Sequence, residues 1–342
     1  MSWYNNAGPC QNFVLFSKVK YIRNLTKQCF SEPLEDKKVC DAANKLDSLL
    51  TSNGFQKECS FIDNSPALLS LAERRLVDAD FVYSREKRSL YLNQPCNLVI
   101  ALGGENFISI SSITSGLSVI EAKNMSSEAE EMLDRELQFA YCEKIGYLSH
   151  RISDCGSGMI LSAALYLPSL RHKSLSKLKQ ELEVSGMSLQ PMHTDTNTGD
   201  TYLISYTPHF LADEDQASVF FSDTVLRIVE NEKATLLKHY DGKSKDVYDS
   251  ARRALGTLKF CESMREDGML SLLSTIRLAY CLNTDIKEKS LPNVQALNFL
   301  SAEGLNASVI SSTKEVCSSM EECDIARSTL IKRYIESKSE VV

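Results

Sequence analysis

The sequence predicts an α+β fold, in which a mixed helical and β-rich domain is followed by a small all-α domain. Segments between residues 80 and 113 are short and rich in β-branched and aromatic residues, which is typical of strands. Longer stretches on both sides carry apolar residues at helical spacing. The β-type pattern largely stops at the charged segment 241–246, so we expect domains at 1–242 and 243–342. A chain of 342 residues is also long enough for two domains of about 150 residues.

The first quarter of the chain is expected to be mainly helical. Apolar residues recur at helical spacing over 35–51, and the pattern continues over 66–76. Strands are then predicted at 80–84, 89–92, 97–102 and 107–113. In the last of these, Ile108 and Ile110 alternate with Ser109 and Ser111. Gly103 with Gly104 suits a tight hairpin before it.

Helices and strands alternate over the next hundred residues. A helix is predicted over 126–140, opened by a serine and acidic first turn. The apolar run 159–167 fits either a strand or a buried helix, because periodicity alone does not separate the two. A strand is predicted at 201–206 and a helix at 223–240, in which we expect Leu226 and Leu237 to point inward among other apolar residues. Further helices are expected near 247–258, 270–276 and 319–337.

Composition and charge exclude several classes of function. With 45 acidic and 38 basic residues the net charge is -7, which disfavours nonspecific binding to nucleic acid or anionic lipid. No stretch approaches the about 18 apolar residues of a membrane span, and the N-terminus is polar, so we expect a cytoplasmic protein. The 11 cysteines form no C-x-x-C pair and the 5 histidines are scattered, so neither a disulfide framework nor a metal site is expected.

Four segments, in order, carry a resemblance to one family. They are 17–25 (SKVKYIRNL), 104–106 (GEN), 146–158 (GYLSHRISDCGSG) and 202–205 (YLIS). They resemble the S-R-x-R-L-A-R-N-L, N-E-E-D-H-L-R-I, G-Y-L-T-x-C-P-T-N-x-G-T-G-x-R-A-S and Y-x-I-S-N motifs of ATP:guanido phosphotransferases. The helical C-terminal third is similar to the extra domain of bacterial protein-arginine kinases, so the resemblance covers nearly the whole chain.

The resemblance implies both a fold and a chemistry. The implied fold is a phosphagen-kinase-like antiparallel sheet flanked by helices, with a helical C-terminal domain. The family transfers the γ-phosphoryl group of ATP to a guanidinium, and its bacterial branch modifies protein arginines, which marks those proteins for an Hsp100-type protease. Because phosphoryl transfer makes little covalent demand on the protein, catalysis rests on positioning and on cations, which the family supplies mainly as arginines.

This sequence departs from the family at the phosphate-binding positions. Two arginines correspond to Lys18 and Lys20, which keep the charge but lose the planar fork of the guanidinium. Two others correspond to Ser109 and Ile160, and no arginine lies between Arg88 and Arg135 or between Arg151 and Arg227 except Arg171. Each charge-assisted hydrogen bond to a phosphate contributes about 1.5–3 kcal/mol. Losing three arginines would therefore remove roughly 5–9 kcal/mol from the binding of the nucleotide and the transition state, or about 10³ to 10⁶ in rate or affinity.

The guanidinium side of the implied site has changed as well. Arg151 replaces the family's cysteine and would put a cation where the substrate's own cation should lie, while Asp154 replaces an asparagine. The cysteine nearest in sequence to position 151 is Cys155. Glu105 aligns with the carboxylate that deprotonates the guanidinium, although its acidic neighbours are Gly104 and Asn106 here. Glu105 is therefore the candidate catalytic residue, with a turn or strand-end role as its alternative.

Candidate anion contacts also have simpler interpretations. Lys18 and Lys20 either still touch a nucleotide phosphate or form a solvated basic strand edge. Gly156 and Gly158 either cradle phosphate with their backbone amides or persist as turn glycines. Three further arginines could replace the lost cations from elsewhere in the fold, namely Arg85, Arg88 and Arg151.

The C-terminal domain carries a partial copy of a second motif. The bacterial enzymes have an R-D-x-x-R-A sequence that binds phosphoarginine, and here it corresponds to residues 323–328 (CDIARS). Asp324 and Arg327 match this motif and lie three apart, hence on one helix face. They are candidate phosphoarginine ligands, and a surface ion pair is the alternative.

The leading hypothesis is a degenerate protein-arginine-kinase homologue, a pseudokinase that acts by binding a partner. By resemblance, that partner is another copy in a homodimer, an active kinase paralogue or the zinc-binding activator of such kinases. No cofactor is expected in this case. One alternative is a divergent active kinase that uses Mg²⁺-ATP, and another is a phosphoarginine-binding protein.

Overall fold

The computed structural model describes residues 3–26, 36–60, 68, 71–72, 74–78, 81, 88–103, 106–149, 151–171, 175–192, 199–209, 212–282 and 319–339. The strands in these ranges are β1 (Val14–Arg23), β2 (Phe55–Ser60), β3 (Ser89–Asn93), β4 (Leu98–Leu102), β5 (Ile108–Ser115), β6 (Tyr141–Cys142), β7 (Gly146–Tyr147), β8 (Met159–Tyr166), β9 (Met187–Pro191) and β10 (Thr201–Tyr206). The α-helices are α1 (Asp36–Ser52), α2 (Val119–Asp134), α3 (Leu175–Val184), α4 (Glu214–His239), α5 (Ser244–Phe260), α6 (Glu266–Cys281) and α7 (Met320–Ser339).

Eight of the strands form one antiparallel sheet, in the order β2-β3-β4-β5-β1-β8-β10-β9. The 10-residue strand β1 lies in the middle and pairs with β5 on one side and β8 on the other. In this register Lys20 faces Ser111 of β5 and Ile160 of β8. The short strands β6 and β7 form a separate hairpin.

The two faces of the sheet have different surroundings. Side chains alternate between faces along a strand, so Val19 and Tyr21 share one face while Lys18 and Lys20 share the other. Val19 and Tyr21 are buried where α2 packs against β1 and α4 against β8. Tyr21 also donates a hydrogen bond to Glu214 at the start of α4. Helices therefore cover one face, and the lysine-bearing face contains the cleft described below.

The chain has two clusters of buried apolar residues. The larger cluster lies between the sheet and helices α1, α2 and α4. The second joins α5, α6 and α7 and includes Val247, Leu258, Leu273 and Ile331. This arrangement confirms the predicted α+β fold with an antiparallel sheet and a helical C-terminal part. The domain limits of 1–242 and 243–342 stay a prediction.

Several predicted elements are present, and some expectations were wrong. The helices expected near 35–51, 247–258, 270–276 and 319–337 correspond to α1, α5, α6 and α7. Strands β3, β4, β5 and β10 lie where they were predicted, and the ambiguous run 159–167 is strand β8. The described part of the first quarter contains helix α1 but also the central strand β1 and strand β2, which were not predicted. Of 66–76, the described residues 68, 71 and 72 are helical. In the strand predicted at 80–84, Phe81 is described and is helical, whereas the rest of that range and Gly104 lie outside the described residues.

Two helices begin earlier than predicted. Helix α2 starts at Val119, and Ser126 is a buried residue in its middle, hydrogen-bonded to the carbonyl of Val19, so it does not cap the helix. Helix α4 starts at Glu214, and its N-cap is Asp213, whose side chain accepts from the amide of Gln216. Leu226 and Leu237 of α4, expected to point inward, are exposed.

Candidate functional site

The candidate site is a small open cleft on the lysine-bearing face of the sheet. Its cavity volume is about 70 Å³. Pockets that enclose drug-sized ligands usually measure about 300–1,000 Å³. The cleft is therefore smaller than an enclosing ligand pocket and has room for a small polar group. It is lined by Lys20, Leu76, Val77, Asp78, Phe81, Val99, Ala101, Gly103, Asn106, Ser109 and Ser111.

A charged cluster of two lysines and one aspartate lies at the cleft, whose lining includes Lys20 and Asp78. Lys18 and Lys20 lie two residues apart on β1, so their side chains project from the same face. The Nζ of Lys18 lies 3.0 Å from Oδ1 of Asp78, and the Nζ of Lys20 lies 2.6 Å from Oδ2. The lysine side chains are only 11% and 21% exposed, whereas Asp78 is 47% exposed. One carboxylate thus bridges both amines from the solvent side.

The electrostatics of this cluster follow from its burial and its excess of positive charge. Burial lowers the pKa of Lys18 below its ordinary value, and the charges of Lys20 and Arg75 act in the same direction. Asp78 opposes this decrease. Conversely, the charge of Lys18 and then that of Lys20 hold the pKa of Asp78 far below its usual range. Asp78 is therefore ionised at neutral pH and neutralises part of the charge of the two lysines.

The two other positions that correspond to family arginines lie beside the lysines. Ser109 of β5 pairs with Ile22, and Ile160 of β8 pairs with Lys20. Both pairings place these residues on the same face as the lysines, because directly paired residues in an antiparallel sheet share a face. The structure therefore brings these four positions together, as the motifs imply. At two of these positions, Ser109 presents a hydroxyl and Ile160 a hydrocarbon instead of a cation.

Arg23 of the same strand points to the opposite face and has a structural role. It is buried, and its Nε donates to Oε1 of Glu130 on α2 at 2.9 Å. Its Nη1 donates to the carbonyls of Ile22 and Ser157, both at 2.8 Å. The guanidinium also lies 3.5 Å from the ring centroid of Tyr147. Arg23 therefore attaches the 156–158 turn and helix α2 to the central strand.

The glycines Gly156 and Gly158 occupy positions that a side chain would disturb. Both have positive φ, at 109° and 60°, a region that glycine adopts without steric cost. A Cβ on Gly158 would lie 2.7 Å from the carbonyl oxygen of Ile22 and 2.8 Å from Nη1 of Arg23. The amide of Gly156 donates to the carbonyl of Tyr147 at 3.0 Å. These contacts account for both glycines as turn residues, and a phosphate contact by them stays a prediction.

A buried amide network lies at the end of the cleft. Asn24 donates to the side-chain oxygen of Asn106 at 3.3 Å and to the carbonyl of Leu148 at 3.2 Å. Its own side-chain oxygen accepts from the amide of Phe107 at 3.0 Å. Ser149 donates a second hydrogen bond to Asn106 at 3.1 Å. Asn106 is thus neutral and hydrogen-bonded within the protein, at a position where the family motif has an acidic residue.

The predicted guanidinium-side residues do not assemble into a site that the structure describes. Glu105, the candidate catalytic residue, lies outside the described residues, so its role stays a prediction. Arg151 is exposed at the start of a short turn. The sulfur of Cys155 accepts from the amide of Ser149 at 3.3 Å and lies 3.6 Å from the carbonyl of Arg151.

Of the other two replacement arginines, the structure describes Arg88, which is not among the residues that line the cleft. Arg85 lies outside the described residues. Arg88 is buried, and its guanidinium carbon lies 5.4 Å from the ring centroid of Phe81. Because Phe81 itself lines the cleft, Arg88 packs behind the cleft wall. Among the described residues that line the cleft, Lys20 is the only cation.

Asp324 and Arg327 form an ion pair inside the helical cluster. Arg327 is 1% exposed, and its Nη1 donates to Oδ1 of Asp324 and to the carbonyl of Met264, both at 2.5 Å. The next residue, Ser328, donates to the carbonyl of Cys261 at 3.0 Å. These bonds hold α7 against the turn between α5 and α6. The expected ion pair is thus present but buried, and a role in phosphoarginine binding stays a prediction.

Asp78 is the residue of this site that sequence reasoning missed. It belongs to no motif, and it reaches the lysines across 60 and 58 positions of sequence. Within the described part of the chain, no three His, Cys, Asp or Glu side chains are grouped to hold a metal ion. No helix that the structure describes is long and apolar enough to span a bilayer.

Comparisons with known proteins agree on one family. A family model described as ATP:guanido phosphotransferase, C-terminal catalytic domain, matches residues 39–235. A protein-arginine kinase of Clostridium novyi (strain NT) is 24% identical over 346 residues, which cover 98% of each chain. One from Clostridium kluyveri is 27% identical over 276 residues, or 78% of this chain and 79% of that protein.

Solved structures show the same fold at lower identity. The substrate-free duplicated taurocyamine kinase from Schistosoma mansoni superposes with a TM-score of 0.57 at 17% identity, over 70% of this chain. The match spans about a third (36%) of that duplicated enzyme. Lombricine kinase superposes with a TM-score of 0.51 at 14% identity, over 66% of this chain and 67% of its own.

Proposed function

The chain belongs to the ATP:guanido phosphotransferase family, and we propose that it is a degenerate protein-arginine-kinase homologue that acts by binding a protein partner. In this proposal it transfers phosphoryl groups feebly or not at all. The observation that carries the proposal is the pairing of Lys18 and Lys20 with Asp78. The side chains at two of the four positions where the family has cations are therefore already paired with an internal carboxylate.

The chemistry of the two remaining positions supports the same conclusion. A charge-assisted hydrogen bond contributes about 1.5–3 kcal/mol, a neutral one about 0.5–1.5 kcal/mol, and a hydrocarbon none. Ser109 and Ile160 together thus forfeit roughly 2–5 kcal/mol of phosphate binding relative to two arginines. Each 1.4 kcal/mol is a factor of about ten, so this difference alone corresponds to roughly 30-fold to 4,000-fold.

The contrast within strand β1 also favours a retained fold with an altered cleft. Arg23 keeps its guanidinium and bonds to Glu130 and to two backbone carbonyls. Lys18 and Lys20, which face the cleft, have lost theirs. A chain that preserves its structural arginine and replaces its phosphate-facing ones is suited to presenting a surface rather than to holding a triphosphate.

The partner is inferred from the family. Candidates are a second copy of this chain, an active protein-arginine kinase or the zinc-binding activator of such kinases. A cytoplasmic location goes with these partners, and no cofactor is required for the binding role. The rival function is that of a divergent active kinase, in which Lys18, Lys20 and Glu105 would act on Mg²⁺-ATP.

Transfer of radiolabel from γ-labelled ATP to an arginine-rich acceptor protein separates the two functions. The full chain is compared with a Lys20→Gln variant, which removes one cleft cation and leaves the apolar core intact. The proposal expects equal, blank-level labelling by both proteins, because neither holds the triphosphate. Acid-labile labelling by the native chain that the Lys20→Gln variant loses would establish the rival.

A further inference from the structure

Two mostly buried lysines of the cleft converge on a single carboxylate that is more exposed than either of them. Each oxygen of Asp78 takes one amine, at 3.0 Å from Lys18 and 2.6 Å from Lys20. We propose that Asp78 is a built-in occupant of a latent anion site, which holds the two lysines in place of a small phosphate-class anion. This inference rests on the proposed function and deepens it, since it explains how the cleft is kept closed to phosphates.

The geometry around the lysines is that of a fixed anion receptor. Both side chains rise from the central strand of the sheet, and little of either is exposed. Two amines that each hold a different oxygen of one group can grip a phosphate in the same way. The hydroxyls of Ser109 and Ser111 line the same cleft. These are groups that can donate hydrogen bonds to further oxygens of an anion.

The charge balance shows why the site needs an occupant. Lys18 and Lys20 lie close enough to bind one carboxylate, and Arg75 adds a third positive charge that acts on Lys18. Without Asp78 these buried cations would face each other without compensation, which is costly in a partly desolvated site. An anion from solution would then be stabilised by the same charges that now hold Asp78.

The position of Asp78 allows such a replacement. Its side chain is 47% exposed, so it covers the lysines from the solvent side and does not pack beneath them. Removing its charge leaves the strand and the lysine stems in place. The cavity of about 70 Å³ has room for the phosphate group of a small anion.

The test is a calorimetric titration of inorganic tripolyphosphate into the full chain and an Asp78→Asn variant. The native chain is expected to give no saturable heat. Asp78→Asn is expected to give saturable heat, with an affinity at least tenfold above the detection limit that the native chain's titration sets. Adding Lys18→Gln and Lys20→Gln to Asp78→Asn should abolish that gain. The matched control is Asp47→Asn, which removes the same charge from a carboxylate paired with Lys57 elsewhere in the fold.

Three results would overturn the inference. They are a folded Asp78→Asn variant that binds no better than the native chain, an equal gain in Asp47→Asn, and a gain that survives loss of both lysines. If Asp78→Asn does not fold, acetylation of Lys18 and Lys20 in the native chain, followed by mass spectrometry, decides the matter. The inference expects tripolyphosphate to leave both labelling rates unchanged, and protection of the lysines would contradict it.

The proposed function fails separately. Phosphoryl transfer by the native chain would remove the proposed function, whatever Asp78→Asn does. Conversely, an inactive native chain whose Asp78→Asn variant gains no anion binding would leave the proposed function standing and remove only the latent site.

Discussion

Replacement of Arg23 by methionine is expected to weaken the fold strongly, because this arginine holds three parts of the protein together. Its guanidinium bonds to Glu130 of α2 and to the carbonyls of Ile22 and Ser157. It also stacks on Tyr147. Methionine retains much of the length of the side chain but leaves the carboxylate of Glu130 buried without its cation.

The magnitude follows from that orphaned carboxylate. Removing one partner of a buried ion pair costs about 3–5 kcal/mol, most of it the penalty of the remaining charge. With a urea m value of about 3 kcal/mol/M, the unfolding midpoint should fall by roughly 1–1.7 M. A double variant, Arg23→Met with Glu130→Met, removes the orphaned charge and should recover at least half of the loss.

Urea unfolding followed by circular dichroism measures all three proteins. The matched control is Arg253→Met, which breaks an ion pair with Asp249 whose side chains are 75% and 63% exposed. Exposed pairs of this kind contribute about 0.3–0.5 kcal/mol, so the control should move the midpoint little. A loss below about 1 kcal/mol for Arg23→Met would refute the structural role of Arg23. A double variant that is less stable than Arg23→Met alone would also refute this role.

Three further predictions concern the turn, the cleft and the helical cluster. Gly158→Ala should cost more than the about 1–2 kcal/mol of a left-handed non-glycine residue, since its Cβ would lie 2.7 Å from the carbonyl of Ile22; an unchanged melting temperature would contradict this. The ion pairs of Asp78 should stabilise the fold fully above about pH 4 and be lost as pH falls toward its depressed pKa, so Asp78→Asn should flatten the decline in melting temperature below pH 4. Identical acid profiles would argue against that contribution. Free phosphoarginine should leave the melting temperature of the native chain unchanged, because Arg327 already bonds to Asp324 and Met264; a rise that Arg327→Ala abolishes would support a phosphoarginine reader.

The sequence predicted the sheet well where one face of a strand is buried. In the first half of strand β5, Ile108 and Ile110 pack into the core on one face while Ser109 and Ser111 face the cleft on the other. Helix ends were less predictable. Ser126 has the composition of a cap, yet it lies inside α2, because its hydroxyl bonds to the carbonyl of Val19 on a neighbouring strand. That bond depends on packing between distant segments, which local patterns do not encode.

The site could be predicted only in part for the same reason. The motifs identified the four positions of the family's arginines, and the structure brings these positions together on three adjacent, paired strands. Strand alternation could also have separated Arg23 from Lys18 and Lys20, since an odd spacing along a strand places residues on opposite faces. Asp78 had no such signal. It meets the lysines through the tertiary fold, from a segment that carries no family motif.

Titration of Mg²⁺-ATP into the full chain in a calorimeter tests the central claim most directly. A cleft with a serine and an isoleucine in place of two guanidinium groups, and with its lysines held by Asp78, should show no saturable heat even at millimolar nucleotide. Saturable binding in the micromolar range would contradict this account and would favour the alternative of a divergent active kinase.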